Sequence, residues 1–178
     1  MSERTMFDRM QSAAMLDIPT YEEVEADESA TGQAGMVVLI GALSSAIGGI
    51  GGGLGGALVG MVMALVGWFL YAGVTYFIGT SLFKGTATWG EVLRTTGFAQ
   101  APNALLILGI IPLLGGLIRI VISIWVLVCV VIGIRQALDI ETGPAIATGC
   151  LAAIVIWAVM AAVTLLLLGT GAVLGVGS

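Results

Sequence analysis

From Ala34 to Ser81 the chain carries no charged side chain, and from Ala101 to Ile134 it carries only Arg119. A helix needs ~20 residues to cross ~30 Å of hydrocarbon, so the first run predicts two membrane crossings and the second a tight pair. The stretch GGIGGGLGG, Gly48 to Gly56, is the natural joint in the first run, because glycine takes turn conformations most readily. Gly115 and Gly116, just ahead of Arg119, mark the joint in the second. Pro144 suits the first turn of a last helix. The pattern predicts five spans, at about 33–51, 57–80, 101–117, 119–137 and 145–169. The third is short, and a re-entrant segment is the alternative for it.

The polar stretches carry helical signals of their own. In MFDRMQSAAM, Met6, Phe7, Met10 and Ala14 fall at helical spacing with Asp8, Arg9 and Gln11 turned away, an amphipathic stripe for the membrane surface or the protein's own face. Thr20 and Glu23 have capping-box spacing, predicting a short acidic helix from Tyr21. Thr88 and Glu91 repeat it ahead of a helix ending near Gly97, with Trp89, Val92, Leu93 and Thr96 along one side. Phe83, Trp89 and Phe98 around Lys84 and Arg94 are the mix found at headgroup level, so this helix is expected to lie parallel to the membrane, with Glu91 and Arg94 able to pair. Trp68, Trp125 and Trp157 fall near the middles of their spans and read as packing anchors, a lipid-facing position being the alternative.

Composition sharpens this picture. With 58% apolar and 10% charged residues and a mean hydropathy of +1.11, a soluble fold is excluded. The net charge of −5 comes from residues 1–28, where eight acids stand against Arg4 and Arg9. That segment, 1–32, reads as an acidic cytoplasmic tail with short helices, followed by a membrane domain, 33–169, and a short tail, 170–178. With the amino terminus in the cytoplasm, every basic residue except Arg119 lies inside, which predicts a multi-pass protein of the plasma (inner) membrane with its carboxyl terminus on the opposite side. No cleavable signal peptide is expected in the acidic first 30 residues.

Candidate chemistry is sparse. There is no histidine, and the predicted spans hold no acid, which argues against imidazole catalysis and against a proton or cation pathway. Cys129 and Cys150 stand alone in apolar runs and read as buried small hydrophobes rather than metal ligands or a redox pair. No catalytic, cofactor-binding or metal-binding residue is assigned. The glycine run has neither GK[ST] nor a following base, so it is no phosphate loop. Its rows of small residues, above all Gly56, Gly60 and Ala64, read instead as a packing face for a neighbouring helix or subunit. Glu22, Glu23, Glu25 and Asp27, with Trp89, Glu91 and Arg94, are the candidate contacts for a cytoplasmic partner, the alternative being a solvated helix face.

Three stretches, LDIPTYEEVEAD, WGEVLRTTGFAQAPNALL and WVLVCVVIGIRQALDIETGPAIAT, give the chain a likeness to a known group. In their order and spacing it resembles the Yip1 domain family of small five-span membrane proteins. Arg94, Gly97, Ala99 and Pro102 look like that family's approach to the third span, and Gly133, Arg135 and Ala137 like its exit from the fourth. The chain departs at Pro144, where relatives often carry a basic residue. Eukaryotic members are associated with early secretory traffic and bind Rab-type GTPases through cytoplasmic segments. The shorter amino-terminal segment here suggests a bacterial or archaeal member, for which the resemblance implies no settled activity and no carry-over of Rab binding.

These observations predict an all-α polytopic membrane protein with five Yip1-like spans and short interfacial helices. The expected role is that of a non-enzymatic scaffold or membrane organiser. An accessory subunit of a larger membrane complex, or a channel or carrier for a neutral or lipidic substrate, are the alternatives. The expected partners are the lipid bilayer and a membrane protein or second copy, with no nucleic acid, metal or cofactor.

Overall fold

A computed structural model describes residues 4–48 and 53–173, without the side chains of 160 and 163–173. Its elements are α1 (Met6–Ala14), α2 (Ile18–Ala26), α3 (Ala30–Gly48), α4 (Gly53–Phe83), α5 (Trp89–Phe98), a 3-10 helix (Ala101–Ile110), α6 (Gly115–Leu138) and α7 (Thr142–Val173). No strand occurs among the described residues. Four helices, α3, α4, α6 and α7, are long and apolar enough to cross a membrane.

The expected third span is the main departure. Residues 101–117 do not form one α-helix; they form the ten-residue 3-10 helix, a turn, and the start of α6. Pro102 near its start has no N–H to give, and Pro112 drives Ile111 into the extended region (ψ 118°), ending the helix. The stretched form suits its place, since ten residues rise ~20 Å as a 3-10 helix against ~15 Å as an α-helix.

What lets this helix approach is the buried seam of α3. Ala30, Ala34, Val37, Gly41, Ser44 and Gly48 are buried at alternating four- and three-residue steps, and all but Val37 are small. A methyl group on Gly41 would stand 2.8 Å from Cβ of Asn103, and one on Gly48 would overlap the Leu106 carbonyl oxygen. Within the protein the close approach to the 3-10 helix is thus made on α3, whereas a methyl on Gly56 or Gly60 of the α4 row would meet nothing of the same chain within 4 Å.

Other boundaries move less. Gly53 to Gly56 belong to the first turn of α4 rather than to the joint, and residues 49–52 lie outside the described residues. The observed α3 starts three residues before the expected span, α6 starts at Gly115, and α7 begins at Thr142 and takes in 170–173 of the expected tail. The short helix α2 starts at Ile18, not Tyr21. Asp17 is its N-cap residue, and the Thr20 hydroxyl donates to the Asp17 carboxylate at 2.5 Å, so Thr20 and Glu23 form no capping box. Thr88 and Glu91 do form the expected one, and Thr5 and Asp8 form another ahead of α1.

The core runs through the centre of the bundle, with Val37, Trp68, Phe98, Cys129 and Ile134 in it and Tyr21 and Val24 closing one end. Trp68 is an anchor as expected, donating from its indole to the Leu93 carbonyl at 3.1 Å. Trp157 is not; it is 78% exposed on the outside of α7, where hydrocarbon would meet it. Cys150 likewise is exposed, while Cys129 is buried.

Candidate functional site

Two regions bring the predicted residues together. The first is an amino-terminal cap made by α1 and α2 against α5 and the stretch of α6 from Trp125 onward. Helix α1 ends at Ala14 with carbonyls that have no partner in their own helix. They are met from outside: the Tyr21 hydroxyl donates to the Ala13 carbonyl at 3.0 Å, and the Trp125 indole donates to the Ala14 carbonyl at 2.7 Å. At the end of α2, Arg94 donates from Nε to the Val24 and Glu25 carbonyls, each at 3.0 Å, and again from Nη2 to Glu25. A guanidinium at a helix C-terminus satisfies orphan acceptors and the dipole together.

The candidate partner residues are thus largely occupied. Arg9 is buried with Met10 and Ala13, not turned away as the stripe implied, and Phe7 is the exposed residue. Its guanidinium holds Glu23 at 2.9 Å and Asp27 at 2.8 Å, with Arg4 adding a second bond to Glu23 at 2.9 Å. The Ser29 hydroxyl and then Arg9 keep the Asp27 carboxyl below its ordinary range. Glu22 accepts from Gln136 at 3.2 Å, and Glu91 closes its capping box instead of pairing with Arg94. Trp89 stands edge-on to Phe69, ring centres 4.3 Å apart. Helix α5 is buried from Val92 to Phe98 among the protein's own helices, with Trp89 at its start exposed. The family-motif glycines explain how it fits. A methyl on Gly97 would stand 2.7 Å from Cβ of Ala34, and one on Gly133 would stand 3.1 Å from the Thr95 carbonyl oxygen. Pro102 is buried at the start of the 3-10 helix, and the Arg135 carbonyl accepts from Ile140 where α6 ends.

Glu25 is the cap's pH-sensitive group. Burial, with Asp139, Glu91 and Glu22 nearby and Arg94 opposing them, raises its carboxyl from 4.5 to about 7. The folded protein therefore holds a proton that the unfolded chain has lost between those values, so stability falls as pH rises from 4.5 to about 7. Because the side chain is partly exposed, the whole effect is about 1 kcal/mol after screening. Thermal midpoints in detergent are expected to be higher at pH 5.5 than at pH 8, and Glu25→Gln to flatten that difference; an unchanged slope in the variant would assign the effect elsewhere.

The second region is a cleft of about 600 Å³ between α3, α4 and the 3-10 helix, lined by Ala42, Ser45, Gly60, Ala64, Gln100 and Asn103 among others. Gly56 and Gly60 face it with open space: a methyl group on either would meet nothing within 4 Å. Asn103 donates from Nδ2 to Gln100 Oε1 at 2.6 Å. The glycine-rich half of α4 is exposed, including Leu54, Leu58 and Val62, so the cleft opens sideways. Sequence reading missed Gln100 and Asn103. Their signal was present, as the last amides before a long apolar run. Outside the lining of this cleft, Arg119 donates to the Gly48 carbonyl at 2.7 Å, capping α3.

A bundle of long apolar helices with a helical cap defines an integral, multi-pass membrane protein. Among the described residues no three Cys, Asp or Glu side chains come together as a metal site would need. The family model of the Yip1 domain matches residues 14–165, most of the chain, and the protein belongs to the Yip1 domain family. Comparison with curated proteins and with solved structures gave no match.

Proposed function

We propose that the protein is a non-enzymatic organiser of its membrane that meets other membrane components inside the bilayer, through the cleft beside Gly56, Gly60 and Ala64. The observation that carries this reading is the contrast between the two regions. Glu23, Asp27 and Arg94 are taken up by the protein's own helices, whereas Gly56 and Gly60 look onto open space. The acidic segment then works as a brace rather than a docking arm. An accessory subunit would place a partner's helix in the same cleft, and a carrier a neutral or lipidic solute; its uncharged lining favours the latter as the second reading. A photo-crosslinking residue at position 60 is expected to give adducts in native membranes, and one at position 22 none. Adducts from position 22 alone would overturn the proposal.

The same reading takes the chain across the membrane five times, with α5 and the 3-10 helix as a broken third passage. In support, Asn103 lies beside Gly41 and Leu106 beside Gly48, so the 3-10 helix follows the direction of α3 before the chain reverses into α6. The amino terminus is cytoplasmic on the distribution of lysine and arginine, and the membrane is the inner (plasma) membrane. A cysteine in place of Ser178 is expected to react with an impermeant maleimide from outside intact cells. Labelling only after the cytoplasm is opened would reverse the topology.

A further inference from the structure

We infer that the cleft between α3, α4 and the 3-10 helix binds a neutral amphiphile, a hydrocarbon chain carrying an uncharged hydroxyl or ester head that hydrogen-bonds to Gln100 and Asn103. The inference rests on the intramembrane reading above and names the occupant.

Four observations converge on that chemistry. No Asp, Glu, Lys or Arg lines the cleft, so nothing there balances a charged head. At this depth an unbalanced charge is strongly disfavoured: Asn103 lies against Gly41, eleven residues into α3, ~16 Å along its axis. The second observation is the amide pair. Its mutual bond uses one Asn103 hydrogen and one Gln100 lone pair, leaving the Gln100 amide hydrogens and the Asn103 carbonyl, with the Ser45 hydroxyl in the same lining. Away from water the amide hydrogens need an acceptor and the carbonyl a donor; a hydroxyl supplies both, an ester the acceptor alone, and an alkane neither. Third, the volume of about 600 Å³ lies within the ~300–1,000 Å³ typical of small-molecule sites. Fourth, the open flank is the lipid-exposed half of α4, so a chain can enter sideways from the bilayer. An uncharged head is also the kind that can leave the headgroup layer and reach this depth.

The glycines take on a specific role here. Gly56 and Gly60 leave room that a side chain would fill, so they shape the site by what they lack.

The test uses the full chain in phosphatidylcholine vesicles with a monoacylglycerol carrying a diazirine in its acyl chain, and the fatty acid of the same chain as the anionic counterpart. Saturable labelling of cleft peptides by the monoacylglycerol is expected, at least tenfold above the fatty acid at pH 8. Gly60→Leu, which has space for its side chain, should reduce that labelling at least tenfold without lowering the thermal midpoint. Gln100→Met, close in volume, should reduce it at least threefold. Equal labelling by the two probes, or labelling indifferent to Gln100→Met, would overturn the neutral-head assignment while leaving the cleft as the contact surface. Labelling indifferent to Gly60→Leu would show that the chain does not enter the cleft at all. If position 60 captures only protein in native membranes and the probe labels no cleft peptide, the amphiphile is excluded while the intramembrane reading stands.

Discussion

Gly48→Ala is expected to destabilise the folded protein by about 3 kcal/mol or more, a value at the upper end of what overpacking costs. The added methyl would overlap the Leu106 carbonyl oxygen and stand 3.0 Å from its carbon, and backbone cannot rotate aside as a side-chain tip can. The 3-10 helix would have to lift from α3 along its length, because Gly41 is equally closed, with Asn103 Cβ 2.8 Å away. The bond from Arg119 to the Gly48 carbonyl would be disturbed as well. Gly60→Ala is the matched control. It adds the same methyl to a helix in open space and removes the helix-propensity penalty of glycine, so it is expected to be neutral or slightly stabilising. Thermal midpoints of the two variants in one detergent decide the matter. If the order is reversed, the packing face lies on α4 after all.

Arg94→Ala is expected to release the amino-terminal cap. The arginine is 6% exposed and spends its donors on the Val24 and Glu25 carbonyls. Hydrogen bonds to charged groups contribute ~1.5–3 kcal/mol each, and the carbonyls left behind in a buried end of α2 add their own penalty. The two bonds alone come to about 3 kcal/mol or more, and because they hold only the amino-terminal helices, the loss is expected to be local: α1 and α2 detach while the spans stay folded. Limited trypsinolysis reads this directly, since Arg4 and Arg9 are held in ion pairs in the intact protein. Cleavage at Arg9 should speed up at least tenfold in the variant with the membrane fragment intact. Arg94→Lys keeps the charge but loses the planar fork that reaches two carbonyls, so it should rescue only in part. Protection equal to the unaltered protein would mean that α1 and α2 are held mainly by Tyr21 and Trp125.

The long apolar runs were legible because hydrophobicity over ~20 residues is a direct consequence of the hydrocarbon the chain must cross. The third passage was not. Its residues are as apolar as a span, but Pro102 and Pro112 and the small seam of α3 together set a 3-10 path, and the seam lies some sixty residues earlier in the sequence. The tetrads of glycine in α4 were visible and drew attention away from the close seam on α3, since composition shows that a face is small but not what occupies it. The quieter step of Ala34, Gly41 and Gly48 was equally readable as a heptad. Arg94 was misassigned for a different reason. Glu91 stands three positions away, and local spacing suggested a pair. The acceptors that hold it are backbone carbonyls seventy residues distant, which no side-chain pattern encodes.

The capping of α1 by distant side chains also orders events during synthesis. Residues of α1 and α2 leave the ribosome first, yet the groups that hold them come much later: Arg94, 70 residues after Val24, and Trp125, 111 residues after Ala14. The end of α2 lacks its partner until α5 has been made, and the end of α1 lacks Trp125 until α6 has been made. Contacts of such sequence separation form late, after the loops between them can close. The amino-terminal segment is therefore expected to settle late, in two steps set by α5 and then α6. An insertion machinery or chaperone that meets the nascent chain would find it unattached throughout that interval.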